Sequence, residues 1–155
     1  MIDPRRQARY QRIHDQLKEL IQDKSPNLIS AMATIVAVLH HKMPHHFWTG
    51  FYFTGNDNEL HVGPYQGTLA CQVLKDKGVC LHSVNTRAPV VVPDVEAFPG
   101  HIACDARSKS EIVLPVIKEG EVVAVLDIDS EQPARFDEDD VRPLEGILSL
   151  LTPFI

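Results

Sequence analysis

The sequence predicts an α+β fold in which a central antiparallel sheet carries its helices mainly on one face. Two helical patterns open the chain, short apolar segments separated by turn signals fill its middle, and an amphipathic helix closes it. A chain of 155 residues can bury a single core. We therefore expect one domain over residues 1–155, with N-terminal helices in 1–42 and the sheet, the site-bearing loops and the closing helix in 46–150.

Both N-terminal helices are predicted from apolar spacing and end signals. Residues 4–22 place apolar side chains three or four positions apart, at Tyr10, Ile13, Leu17, Leu20 and Ile21. Ser25 followed by Pro26 predicts an N-cap and a first helical residue. The second helix, Leu28 to Leu39, is apolar nearly all round, so we expect it to be more deeply buried.

A β-hairpin is predicted next, from Phe47–Phe53 and Glu59–Gly63 around a Gly-Asn-Asp-Asn turn. Strand alternation places Trp48, Gly50 and Tyr52 on one face, and the three phenylalanines Phe47, Phe51 and Phe53 on the other. Core packing is the default for both faces. The alternative for Trp48 and Tyr52 is a pocket wall, because each ring combines an apolar body with a polar tip.

The later elements are short and bounded by turn residues. They are a strand at 68–74 that contains Cys71, a short helix after Ser83 and before Arg87, an edge strand at 89–93 with proline at both ends, a hairpin of 112–117 and 122–127, and a closing helix with Asp137 as its N-cap.

Charge and cysteine content restrict the classes of function. The formal net charge of -6 argues against a phosphate-binding surface, so we expect no nucleic-acid partner. The N-terminus MIDPRRQARY is charged and no apolar run approaches a membrane span of roughly 20 residues, so we expect a cytoplasmic protein with no membrane partner. Three cysteines leave one unpaired in any disulfide framework, so they are catalytic, redox-active or structural.

Two groups of side chains are candidates for a reactive site. Cys104 lies in the loop Phe98–Glu111, just before an apolar strand, and is either a reactive thiol or a small buried hydrophobic residue. Asp127 and Asp129 share one face of a strand, where they either surround a bound group or simply face solvent. The residues alone leave both choices open.

A histidine cluster, His40, His41, His45 and His46, surrounds Pro44. We expect these side chains to face water at a helix end, where they complement the helix dipole. The cluster lacks the ligand spacing of known zinc sites, so we predict no metal site.

Five stretches, WTGFY, GPYQGTLAC, KGVC, GHIACDARSKSEIVLPV and VLDIDS, resemble the GAF-domain free methionine-R-sulfoxide reductases over roughly residues 46–150. The resemblance implies a GAF-like fold and reduction of free L-methionine-R-sulfoxide to methionine. It also implies a homodimer with no bound cofactor, recycled by an external dithiol such as thioredoxin. The alternative is a stand-alone GAF module that binds a small ligand or senses redox state. GHIACD and LDIDS favour the enzyme, because most GAF domains lack them.

The resemblance also assigns roles to individual residues. It makes Cys104 the attacking thiolate and Cys71 the resolving thiol that forms a disulfide with it, and Cys80 aligns with the family's third cysteine. The implied catalytic set is Cys104, Cys71, Cys80, Glu111, Asp127 and Asp129, and the implied substrate-binding set is Trp48, Tyr52, Glu111, Asp127 and Asp129.

These assignments suit the chemistry, since sulfoxide reduction needs a thiolate and a proton donor, and crowded carboxyls hold a proton near neutral pH. His101 and Arg107 flank Cys104 and are candidates to stabilise its thiolate. Two departures from the family pattern affect the region after Cys71. The Cys71–Cys80 segment is one residue short, and Leu81 replaces a glycine, so we expect an altered path for the loop that bears Cys80. Ala124 also stands where glycine is usual.

Overall fold

The computed structural model describes residues 3–101 and 104–155. Its elements are α1 (Pro4–Ile21), α2 (Leu28–Lys42), β1 (Trp48–Thr54), β2 (Glu59–Gln66), β3 (Val73–Lys75), α3 (Val79–Thr86), β4 (Val90–Val92), β5 (Ser110–Lys118), β6 (Glu121–Ser130) and α4 (Glu138–Leu148), with 3₁₀ turns at Val95–Ala97 and Ser149–Phe154. Ile102 and Ala103, part of the predicted loop before Cys104, lie outside the described residues.

A six-stranded antiparallel sheet with the order β3-β2-β1-β6-β5-β4 forms the centre of the fold. One face, with Phe51, Leu114 and Leu126, packs against α1, α2 and α4. The opposite face, with Trp48 and Val113, is covered by α3 and connecting loops. The predicted α+β fold, with helices mainly on one face, is confirmed, and β4 is an edge strand as its flanking prolines predict.

Both N-terminal helices form where the apolar spacing predicts them. Tyr10 is buried in α1 and its hydroxyl donates to Asp140 Oδ1 at 2.7 Å, which ties α1 to α4. The predicted N-cap of α2 is wrong. Asn27, not Ser25, caps this helix, because the Asn27 side chain accepts the Ser30 backbone N–H at 2.9 Å.

The segment after β2 differs from its prediction. Cys71 lies in a loop and β3 is limited to Val73–Lys75. Gly67, at φ 124°, turns the chain at the end of β2. The Tyr52 hydroxyl then donates to the Cys71 carbonyl at 3.0 Å, so a side chain occupies an acceptor that a sheet ladder would otherwise use.

Cys80 is on a helix, whereas the sequence indicated that helix only beyond Ser83. Gly78, at φ 116°, is the N-cap of α3, so the helix starts at Val79. Leu81 is buried in this helix and needs no left-handed conformation. Leu81 therefore replaces the family's glycine at a helical position, where a residue with a side chain needs no strained backbone.

His46 contradicts the prediction of water-facing histidines. Only 6% of it is exposed, and its ring packs 5.6 Å from the ring of Phe136, centroid to centroid. Neither ring nitrogen has a hydrogen-bond partner among the described residues. Burial, reinforced by the positive charge of Arg135, lowers the pKa of His46 well below its usual value.

We expect His46 to make the fold sensitive to acid. The unfolded chain protonates this imidazole below about pH 6.5 while the folded chain keeps it neutral, so the free energy of unfolding falls as the pH drops below that value. The slope of the free energy of unfolding against pH is expected to be smaller in His46→Leu, by up to about 1.4 kcal/mol per pH unit between about pH 6.5 and 5. Urea denaturation across this range measures it. The exposed neighbour provides the control, His45→Asn, which should keep the wild-type slope. An unchanged slope in His46→Leu would contradict the conclusion that burial keeps this imidazole neutral in the folded chain.

Among the described residues, no helix combines the length and apolar character required to cross a bilayer.

Candidate active site

Strand register brings the predicted acids and aromatic residues together on one sheet face. In β6, Asp129 pairs with Trp48 of β1 on one side and with Glu111 of β5 on the other. Two residues earlier in β6, Asp127 pairs with Gly50 of β1. Directly paired residues point to the same face of a sheet, so the side chains converge on the face covered by α3.

Two tyrosines stack on Trp48 and build an aromatic wall. The Trp48 ring centroid lies 5.8 Å from that of Tyr52 and 5.4 Å from that of Tyr65. Gly50 makes this arrangement possible, because a Cβ there would lie 2.4 Å from Trp48 Cη2. Trp48 Nε1 is buried and has no partner among the described residues. The wall is therefore apolar with one free N–H donor.

For the substrate that the family resemblance implies, Gly50→Ala is expected to displace the Trp48 indole and raise the KM about tenfold. The estimate follows from the roughly 1–3 kcal/mol that a misfit of one carbon costs in an apolar pocket. Steady-state kinetics with free methionine sulfoxide measure it. Gly146→Ala is the matched control, because a Cβ at Gly146 meets no atom within 4 Å. An unchanged KM in Gly50→Ala would show that the indole position does not matter for binding.

Three carboxyl groups lie on the floor of this face. Glu111 and Asp127 are 5% and 6% exposed, and Asp129 is partly buried. Burial, with charge repulsion from neighbouring acids, raises the pKa of Glu111 and of Asp129 well above the usual carboxyl value. Burial also raises the pKa of Asp127, against hydrogen bonds from Glu111 and Cys80. The group can therefore hold protons near neutral pH.

The remaining contacts of the acids are few. Asp129 Oδ1 accepts the Ser108 hydroxyl at 2.9 Å. Asp127 Oδ1 is buried and has no hydrogen-bond partner among the described residues. His101 Nε2 lies 3.6 Å from Glu111 Oε1, and burial lowers the pKa of His101. These acids thus lack a strong cationic partner within the described part of the chain.

Cys71 and Cys104 form a disulfide, with their Cα atoms 5.5 Å apart. This is the pair that the resemblance implies. Cys80 is the free cysteine, and it is buried. Burial, followed by the charges of Asp127 and Glu111, raises the pKa of its thiol well above the ordinary value. The Cys80 sulfur lies within 4.8 Å of a carboxyl oxygen of Glu111 and of one of Asp127, and it is outside the disulfide.

Asp105 holds together the two loops that carry the disulfide. It accepts the Arg107 guanidinium at 2.9 Å and the Thr68 hydroxyl at 2.8 Å. The bonds from Arg107, and then the one from Thr68, hold the pKa of its carboxyl well below its usual range. Arg107 also lies over the Phe47 ring, 4.7 Å from the centroid. Arg107 is thus paired with Asp105. Phe47 precedes β1 and faces the cavity, contrary to the prediction that it shares a face with Phe51 and Phe53.

A partly enclosed cavity of about 60 Å³ joins these groups. Cys104, Cys80, the three acids, Trp48 and Tyr52 all line it, and Cys71 is joined to the lining residue Cys104. Other lining residues were not anticipated as site residues from the sequence: Leu69, Lys77, Asp105 and Ser108. These four lie outside the strands, where the two-residue alternation that located the acids does not apply.

The fold and this cavity define a GAF-domain protein, and the GAF domain family model matches residues 27–155. A free methionine-R-sulfoxide reductase from Saccharomyces cerevisiae is 44% identical over 108 residues, covering 67% of this chain and 60% of the relative. Another from Escherichia coli is 37% identical over 126 residues, covering 81% and 76%. The crystal structure of the free methionine-R-sulfoxide reductase from Neisseria meningitidis in complex with its substrate has a TM-score of 0.87 and 37% identity, covering 93% of this chain and 86% of that one.

The chain belongs to the free methionine-R-sulfoxide reductase family of GAF-domain oxidoreductases.

Proposed function

We propose that this protein reduces free L-methionine-R-sulfoxide to methionine. The observation that carries the proposal is a disulfide sulfur, Cys104, in the same cavity as three carboxyls with raised pKa values. A redox-active sulfur and proton donors are the two requirements of sulfoxide reduction. The named relatives carry out, by their names, the same conversion.

In the first step, the Cys104 thiolate attacks the sulfoxide sulfur. A protonated carboxyl, for which Glu111 is the best candidate, hydrogen-bonds to the sulfoxide oxygen and protonates it as negative charge develops there. Oxygen passes from the substrate to the Cys104 sulfur. The products are methionine, reduced by two electrons, and a sulfenic acid on Cys104.

In the second step, the Cys71 thiol attacks the sulfenic sulfur, forming the disulfide and releasing water. The Cα separation of 5.5 Å in the bonded pair is that of an ordinary disulfide, which supports Cys71 as the resolving thiol. An external dithiol, thioredoxin or a similar protein, then transfers two electrons and two protons to the disulfide and restores both thiols.

Substrate selection follows from the walls of the cavity. Trp48 and Tyr52 would enclose the S-methyl group, and the acids would receive the sulfoxide oxygen, which fixes one epimer relative to Cys104. An enclosed site that also holds the amino and carboxylate groups would exclude a methionine within a polypeptide. We therefore expect turnover of the free R epimer only.

The family resemblance supports four further properties of this protein: action of residues 1–155 as one GAF domain, a homodimeric state, a cytoplasmic location and the absence of a bound cofactor. The cytoplasmic proposal agrees with chemistry that requires a reducing dithiol pool. Light scattering coupled to size-exclusion chromatography would test the homodimer.

A coupled assay tests the proposed activity. NADPH consumption through thioredoxin reductase and thioredoxin is followed with each methionine sulfoxide epimer, free and peptide-bound. We expect oxidation of NADPH with the free R epimer alone. Absence of turnover in fully reduced protein, with every epimer, would reject the reductase. The stand-alone binding or redox-sensing module would then be the better account.

A further inference from the structure

Cys80, Glu111 and Asp127 form a cluster of potential metal ligands in the cavity. The Cys80 sulfur and one oxygen from each acid lie within 4.8 Å of one another, and all three residues are buried. The three come from different elements, α3, β5 and β6, so the sheet and helix packing hold the donors in place. The set is therefore built into the fold and does not depend on an exposed loop.

A second observation points to a cation at this position. Asp127 is only 6% exposed and its Oδ1 has no hydrogen-bond partner among the described residues. A buried carboxylate oxygen without a donor is unfavourable by roughly 1–3 kcal/mol or more, which a bound cation would relieve. His101 adds a fourth donor, an imidazole, with Nε2 at 3.6 Å from Glu111 Oε1.

We propose that this cluster is a reversible zinc site, with Cys80 as the thiolate ligand and Glu111 and Asp127 as carboxylate ligands. A mixed set of thiolate, carboxylate and imidazole suits Zn²⁺ better than it suits Mg²⁺ or Ca²⁺, which prefer oxygen. Binding displaces the thiol proton and any proton held by the acids to solvent, so no redox change is involved. The cavity provides the entry path.

The site is inhibitory and distinct from the disulfide pair. Zinc would occupy the carboxyl oxygens that the proposed reaction uses, so it competes with substrate. Ordinary zinc inhibition of a thiol enzyme acts on its redox-active cysteines. Here Cys71 and Cys104 are joined, and Cys80 alone retains a thiol. Metal binding to the disulfide form therefore distinguishes the proposed site from nonspecific thiol capture.

The test uses Co²⁺ as a spectroscopic substitute for Zn²⁺ on the oxidised protein, freed of chelator. We expect one Co²⁺ per chain, a thiolate-to-cobalt charge-transfer band in the near ultraviolet, and loss of both on adding Zn²⁺. Cys80→Ser should abolish the charge-transfer band, and Asp127→Asn should weaken Co²⁺ binding at least tenfold. His82→Gln is the control: it removes an exposed imidazole two positions after Cys80 and should change neither signal.

Three results would overturn the proposal: no charge-transfer band in the oxidised wild type, a band that persists in Cys80→Ser, or unchanged affinity in folded Asp127→Asn. Circular dichroism checks that each variant folds. If a variant does not fold, an alkylation experiment on the wild-type protein still tests the proposal. Zn²⁺ must then protect the Cys80 thiol of the oxidised protein from alkylation, and a lack of protection rejects the site. None of these measurements depends on turnover, so they stand apart from the test of the reductase.

Discussion

Cys104→Ser is expected to form no methionine at all, whereas Cys71→Ser is expected to reduce a single equivalent of sulfoxide and then stop. Serine at position 104 leaves no thiolate to attack sulfur, so the first chemical step is lost. Serine at position 71 preserves that step but removes the thiol that resolves the sulfenic acid. In the thioredoxin-coupled assay, the turnover of both variants is expected to fall to the limit of detection. These are the two largest effects that we expect from single substitutions.

A single-turnover experiment separates the two variants. Each reduced protein is mixed with excess free methionine-R-sulfoxide, methionine is quantified by chromatography, and the sulfenic acid is trapped with a dimedone probe. Labelling should fall on Cys104 in Cys71→Ser and be absent in Cys104→Ser. If Cys71→Ser instead turned over at the wild-type rate with thioredoxin, Cys80 would be the resolving thiol and the proposed roles of Cys71 and Cys80 would be exchanged.

Glu111→Gln is expected to lower kcat/KM by about 100-fold or more, because general acid catalysis typically contributes 10² to 10⁴. The wild-type rate should decline on the alkaline side, as the carboxyls with raised pKa values lose their protons. Glutamine cannot release a proton in this range, so the variant should lose the part of this decline that Glu111 causes. Profiles of kcat/KM against pH measure both effects, with Glu121→Gln on the exposed end of the same hairpin as the control.

The same substitution is expected to stabilise the fold near neutral pH. A carboxyl whose pKa is raised on folding destabilises the native state once the pH exceeds its unfolded value of about 4.3, and the cost grows until the raised folded value is passed. Glu111→Gln removes that cost, so its free energy of unfolding should exceed that of wild type at pH 7 but not at pH 3. If Glu111→Gln and wild type had equal free energies of unfolding at pH 7 as well as at pH 3, burial of Glu111 would not destabilise the fold.

The strands and their site residues could be predicted because strand geometry is local. A two-residue period places Trp48 with Tyr52 on one face of their strand, and Asp127 with Asp129 on one face of theirs, without any knowledge of the partner strands. The pairing of β1, β6 and β5 then brings both pairs and Glu111 to the same sheet face. Sequence patterns therefore located the aromatic residues and the two aspartates within their strands, whereas Glu111 was assigned to the site only through the family resemblance.

The loops and the helix over the cavity depend on contacts that no local pattern encodes. Cys71 leaves the sheet because Tyr52, 19 residues earlier, binds its carbonyl. Cys80 is helical because Gly78, the N-cap of α3, adopts φ 116°. Glycine permits this conformation, but its presence in a sequence does not predict it. His46 is buried because α4 brings Phe136 against it. Each of these outcomes is decided by tertiary packing.

The Thr68–Asp105 hydrogen bond has a consequence for the reduced enzyme. Thr68 is three residues before Cys71 and Asp105 directly follows Cys104, so this bond closes the same ring of chain as the disulfide. When the disulfide is cleaved, the bond continues to limit how far the two thiols can separate. A hydrogen bond worth about 1 kcal/mol raises the local concentration of one thiol near the other roughly fivefold. In the proposed mechanism the sulfenic acid would then meet its partner sooner than it meets a second oxidant, which would protect Cys104 from irreversible oxidation.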